Sequence, residues 1–163
     1  MREILTIGAL ALAFTAPTSA RQIIDEKAQV WMAADRFFEA LRSEDKTALA
    51  SMMVPEGTIF IHNRMDPDNP RVDVVPVADH LERWARSTRV VDEIMTHRTV
   101  LANGDMGHVW GPYRFAVEGE TTHCGINSLS MVKTDEGWKV ANTSFTMVPP
   151  DQCEAVGAPE FAQ

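Results

Sequence analysis

Two rhythms of apolar spacing divide the chain. From Ile23 to Leu41 the apolar residues fall at 23, 24, 28, 30, 31, 34, 37, 38 and 41, which is helical spacing with one broad apolar face. "RSEDK" ends that pattern, and Asp45 is placed to cap a short second helix over 46–53 before "VPEG" turns the chain. "TIFIH" (58–62) reads as a short strand, and "NRMDPDNPR" (63–71), with two prolines, reads as a loop. Pro76 suits the first turn of a third helix that presents Val77, Leu81 and Trp84 on one face.

The second half has strand-length runs over 89–102, 106–117, 121–133 and 137–148. They are separated by "NGD", "EGE" and "TDEG", all turn chemistry. An antiparallel meander is expected, followed by an irregular Pro-rich tail over 149–163. Helices first and a long meander afterwards imply an α+β fold: a strongly curved antiparallel sheet with three helices on its concave face, enclosing a cone. A small ligand would sit inside that cone.

Composition adds a compartment. Arg2, the apolar run Ile4–Phe14 and the small residues of "PTSA" form the pattern of a cleaved export signal over 1–20, ending at Ala20. The apolar run of eleven residues is shorter than the roughly 20 needed to cross a bilayer. The expected domain therefore spans 21–148, in a periplasmic or secreted protein. The formal charge of −8 disfavours phosphate backbones and anionic lipid surfaces, so neither nucleic acid nor membrane is expected as a partner. In an oxidising compartment Cys124 and Cys153 could pair and tie the tail to the sheet, but two separate buried thiols are the favoured reading of so small a count.

The helix "ADRFFEALRSEDKTALASMMVPEGTIFI" and the meander ending "KTDEGWKVANTSFT" together resemble the nuclear transport factor 2-like superfamily. This cone-shaped group also contains ketosteroid isomerase, scytalone dehydratase and the polyketide cyclases. More narrowly, "VWGPYRFAVEGETTHCGINSLSMVKTDEGWKVANTSFT" (109–146) is similar to secreted bacterial members often labelled lumazine-binding proteins. The resemblance covers roughly Val30 to Val148. It implies the cone, and a homodimer formed through the convex face of the sheet. It implies no single reaction, because the fold hosts many.

The catalytic patterns of the superfamily match only in part. At the two ketosteroid isomerase positions stand Phe37 and Ile61, neither of which moves a proton. A slip of one residue brings His62 to the base position. Against the scytalone dehydratase pattern Asn127 matches, Trp110 replaces a catalytic His, and the carboxylate position falls near Arg42. If Asn127 faces the cone, strand alternation brings His123, Leu129 and Met131 with it. Trp110 and His108 are expected to join them from the neighbouring strand, unless a bulge at Gly111–Pro112 intervenes.

The expected ligand-binding set is thus Phe37, Trp84, Trp110, Asn127, Leu129 and Met131, suited to an unidentified, partly aromatic small molecule. Trp138 is expected in the core. The five histidines show no metal-ligand spacing, and no cofactor fingerprint is present, so neither metal nor cofactor is expected. The leading functional reading is ligand binding without assigned catalysis. An acid–base lyase or isomerase working through His62 or His123 is the enzymatic alternative, and an interaction module using the sheet face is the third.

Overall fold

The computed structural model describes residues 18–96 and 98–161. The expected leader lies outside the described residues except for its last three, which begin the first helix. α1 (Thr18–Arg42) buries Val30, Ala33, Ala34, Phe37, Phe38 and Leu41. These positions recur every three and four residues and form one stripe. Each large side chain in it contributes roughly 1.5–3 kcal/mol by leaving water. Trp31, which the spacing alone includes in that face, is 38% exposed.

After α1, Asp45 accepts hydrogen bonds from the Thr47 N–H and hydroxyl at 2.9 and 2.6 Å and starts the turn into α2 (Ala48–Met52). β1 (Thr58–Asn63) follows. The segment Arg71–Pro76, where the apolar pattern suggests no element, is the edge strand β2, antiparallel to β1. α3 (Val77–Ala85) starts directly after Pro76.

The single strand expected over 89–102 is two strands, β3 (Val91–Ile94) and β4 (Thr99–Asn103). Arg98 explains the break. Its guanidinium lies 4.5 Å above the Trp31 ring, bonds Asp35 at 2.5 Å and donates to the Met95 carbonyl, which draws the connection onto α1. β3 and β4 then pair with successive stretches of β5 (Met106–Val117). β6 (Glu120–Thr134) and β7 (Gly137–Met147) complete the seven-stranded sheet, in the order β2-β1-β7-β6-β5-β3 with β4 also on β5. One pairing departs from the antiparallel plan, because β1 lies parallel to β7.

Register decides what faces the cone. The β5–β6 hairpin turns through Glu118 and Gly119, both at positive φ, and pairs Val117 with Glu120. A regular ladder from that turn would set Trp110 opposite Asn127. Instead Ala116 pairs with Thr121 and Phe115 with His123, so Thr122 is an extra residue in β6. Every later pair is displaced by one: Tyr113 opposes Gly125, Gly111 opposes Asn127 and Trp110 opposes Ser128. The bulge is here rather than at Gly111–Pro112. Gly125 also lets β7 approach closely, since a Cβ there would meet the Thr146 carbonyl oxygen at 2.0 Å.

The tail is ordered against the convex face. A 3₁₀ turn, Pro150–Gln152, leads to Cys153, which forms a disulfide with Cys124. The two cysteines are therefore joined rather than separate. Arg114 fixes the rest of the tail, donating to the Pro159 carbonyl at 2.6 Å and to Glu160 at 2.5 Å.

Candidate functional site

The concave side of the sheet forms a grid of paired positions. Glu93, Phe115 and His123 stand opposite one another on β3, β5 and β6. Asn127, Phe145 and Ile61 form a second row across β6, β7 and β1. Phe37 and Leu41 of α1 and His80, Arg83 and Trp84 of α3 close over these rows, leaving a cavity of about 220 Å³. Its walls are mostly apolar and aromatic, with a few converging polar groups, as expected of a small-molecule site.

Glu93 is the group that sequence reasoning missed. It is 6% exposed, and its carboxylate accepts a 2.9 Å hydrogen bond from Asn127 Nδ2. Burial pushes its pKa up to about 7, against the opposing effects of the Asn127 bond and the Arg42 charge. Arg42 also anchors the strand behind it by donating to the Glu93 carbonyl at 2.9 Å. An acid in a strand ordinarily reads as solvent-facing. The available signal was its parity, since Val91, Glu93 and Met95 alternate on one face and both neighbours are fully apolar.

His123 faces the same cavity. Its ring stacks on Phe115 at 4.9 Å and meets Tyr113 edge-on at 5.7 Å. Burial lowers its pKa to about 4, so the imidazole is neutral at pH 7. Its Nδ1 lies 3.0 Å from the Thr122 hydroxyl, which also reaches the Phe115 carbonyl at 3.5 Å. Both bonds form together only when Nδ1 carries the proton and Thr122 passes its own proton to the carbonyl. His123 Nε2 is then left as an acceptor.

Tyr113, between these groups, donates to the Thr146 carbonyl at 2.9 Å, and its pKa is raised by burial and by the nearby Glu93 charge. Among the described residues, two buried polar atoms of the wall have no protein partner, Trp84 Nε1 and Asn127 Oδ1. The His80 ring lies tilted against Trp84 at 5.6 Å, and burial, aided by the Arg83 charge, lowers its pKa.

The expected site residues separate cleanly. Phe37, Trp84, Asn127 and His123 are on the cavity wall. Trp110 is not: the Thr122 bulge turns it to the convex face, where it is 49% exposed beside His108. His62 also points away from the cone and bonds Ser144 at 3.0 Å, because Ile59 and Ile61 take the inward parity of β1. Leu129 and Met131 do point inward, but they are fully buried as core packing beyond the cavity wall, and Trp138 is buried in the same core. Among the described residues, no group of three His, Cys, Asp or Glu side chains is placed to hold a metal ion.

This geometry, a curved sheet wrapped around a helix-capped cavity, defines the cystatin-like cone of the nuclear transport factor 2-like proteins. The chain belongs to the SnoaL-like domain family, whose model matches residues 30–149. An NTF2-like protein from Novosphingobium aromaticivorans has the same fold with a TM-score of 0.62 at 14% identity, covering 86% of this chain and 92% of its own. A proposed dehydratase of the NTF2-like family from Streptomyces avermitilis gives 0.61 at 19% identity, covering 77% and 97%. The β subunit of a proposed aromatic-ring-hydroxylating dioxygenase from N. aromaticivorans gives 0.59 at 9% identity, covering 79% and 92%. Among curated proteins, none matches the chain.

The two buried groups set opposing pH dependences. Glu93 has a folded pKa of about 7 above an ordinary 4.5, so its contribution to stability is present below pH 4.5 and lost as pH rises to 7. His123 has a folded pKa of about 4 below an ordinary 6.5, so its contribution is present above pH 6.5 and lost as pH falls toward 4. Replacing Glu93 by Gln removes the first slope alone. Relative to the wild type, Glu93→Gln should gain on the order of 3 kcal/mol of unfolding free energy between pH 4.5 and 7. Urea unfolding across that range measures it, and a difference independent of pH would show that Glu93 is not held protonated by burial.

Proposed function

We propose that this protein is an exported small-molecule-binding domain whose cone holds a compact, partly aromatic ligand. The observation that carries the reading is the 220 Å³ cavity with its aromatic lining and its buried Glu93–Asn127 pair. A cavity of roughly 150 Å³ takes a benzene ring, so this one accommodates a ring with a short substituent. The orphan Trp84 Nε1 and Asn127 Oδ1 supply a donor and an acceptor in the wall. Export is supported by the expected leader sequence and by the Cys124–Cys153 pair, which suits an oxidising compartment.

A second reading, acid–base catalysis in the same cone, is favoured by one observation. Burial pushes the pKa values of Glu93 and His123 in opposite directions, to about 7 and about 4. A carboxyl poised near neutral pH inside an apolar site can take a proton from carbon beside a carbonyl and return it elsewhere. The likeness in fold to a proposed dehydratase is compatible with such lyase or isomerase chemistry. On this reading Glu93, rather than either expected histidine, moves the proton, and Asn127 orients it.

The convex face supports a homodimer. Its middle, at 60, 62, 108, 110, 128, 130, 142 and 144, carries no acidic or lysine or arginine side chain in a chain of net charge −8. Phe60 and Trp110 are 40% and 49% exposed there. A second copy could meet that stripe without bringing like charges together.

Three measurements separate these readings. For binding, 1-naphthol should quench tryptophan fluorescence with a Kd on the order of 0.1 mM. Phe145→Trp, which fills the cone, should weaken that at least tenfold; equal affinity in the variant would refute the pocket. For catalysis, exchange of the α-protons of 2-indanone in D₂O should rise to a plateau through pH 7 and fall roughly a hundredfold in Glu93→Gln. Unchanged exchange in that variant would remove the catalytic reading. For the dimer, light scattering should give twice the chain mass, and Trp110→Asp should return it to one; a wild-type monomer would sink that proposal.

A further inference from the structure

Which kind of aromatic molecule fits follows from three polar wall groups, His123, Glu93 and Arg83. This step rests on the pocket reading above and specifies its ligand. At one point of the cavity, His123 Nε2 is an acceptor in the tautomer that satisfies both Thr122 contacts. The ligand group that meets it must therefore donate, and beside an apolar ring the simplest such donor is a hydroxyl. Glu93, on the same row of the sheet, keeps a second carboxylate away from this part of the cone, since two acids sharing one apolar site cannot both ionise.

On α3 the character reverses. Arg83 lines the cavity, is exposed, and makes no ion pair among the described residues. Its helical neighbour Glu82 is held by Arg86 at 2.6 Å and does not compensate it. Lys46 adds a second positive charge, 5.6 Å from the centre of the Trp84 ring on the same wall. In a chain of charge −8, this places local positive potential at a cavity whose deep carboxyl is negative or neutral. A ligand anion is attracted at α3 and excluded at the sheet.

We propose that the cone takes a hydroxyaryl carboxylic acid, with its hydroxyl donating to His123 Nε2, its ring among Phe37, Phe115 and Phe145, and its carboxylate on Arg83. The cavity volume suits a single ring with a short acidic side chain. The guanidinium fork pairs with a carboxylate in two parallel bonds, which an amide or alcohol at that end cannot reproduce.

The test uses the full chain and 4-hydroxycinnamic acid, with cinnamic acid and 4-hydroxycinnamamide as matched probes, followed by calorimetry. The hydroxy acid should bind roughly tenfold more tightly than the amide, the scale of one hydrogen bond to a charged group, and about fivefold more tightly than cinnamic acid, the scale of a neutral one. Arg83→Gln should erase the preference for acid over amide, weakening the acid roughly tenfold and the amide much less. His123→Phe, which keeps a stacking ring beside Phe115, should erase the preference for the hydroxyl. Equal binding of acid and amide, or a preference that survives Arg83→Gln, overturns this ligand class and leaves the pocket standing. No binding of any of the three, nor of 1-naphthol, overturns the pocket reading together with it.

Discussion

One extra residue in one strand fixes the character of the cone. Without Thr122, the β5–β6 ladder would continue from its tight turn and present Trp110 beside Asn127. With it, Trp110 turns to the convex face, and Tyr113 and Phe115 turn inward. The same residue places its hydroxyl 3.0 Å from His123 Nδ1. Tyr113 can then pass over Gly125, where the lack of a side chain allows β7 to come close and accept its hydroxyl proton. A slip of one residue would exchange the two faces and lose the cavity.

The lining of the cone is mostly apolar, which makes its polar groups consequential. An unpaired carboxylate in such a place is expensive, and the single bond from Asn127 offsets only part of that cost. The result is a carboxyl that exchanges its proton near neutral pH and a histidine that stays neutral there. Arg42, held outside the cone on the Glu93 carbonyl, steadies the strand without neutralising the acid directly. The two proposed uses, binding and proton transfer, would draw on this one arrangement. A ligand that donates to Glu93 favours the first, and one with an acidic C–H favours the second.

Much of this was legible in the sequence, and what was not has identifiable causes. α1, β1, β5, β6 and β7 follow from period-3.6 and period-2 patterns bounded by turn residues, and β5 runs over the expected 106–117. The edge strand β2 is short and half solvated, so its pattern is weak. The break between β3 and β4 depends on Arg98 stacking on a tryptophan some 67 positions earlier, a contact with no local signature. The bulge is equally silent, since Thr122 is an ordinary strand residue, and that silence misplaced Trp110. His62 was misplaced by reading the strand end one residue off its parity. Asn127 and Phe37 were placed on the cavity wall by the superfamily resemblance, His123 followed from Asn127 by strand alternation, and Trp84 followed from the apolar face of α3. Glu93 was overlooked because an acid flanked by Asp92 resembles a solvated pair, although its own face is apolar.

The claim on which the rest depends is that the cone holds a carboxyl protonated well above its ordinary range. The direct measurement is a pH titration of the Glu93 carboxyl by carbon NMR, with glutamate isotopically labelled and the resonance assigned by its absence in Glu93→Gln. The account predicts a midpoint near 7. A midpoint near the ordinary 4.5 would mean that water reaches Glu93 freely, and it would contradict both the burial of the carboxyl and the proposed proton chemistry.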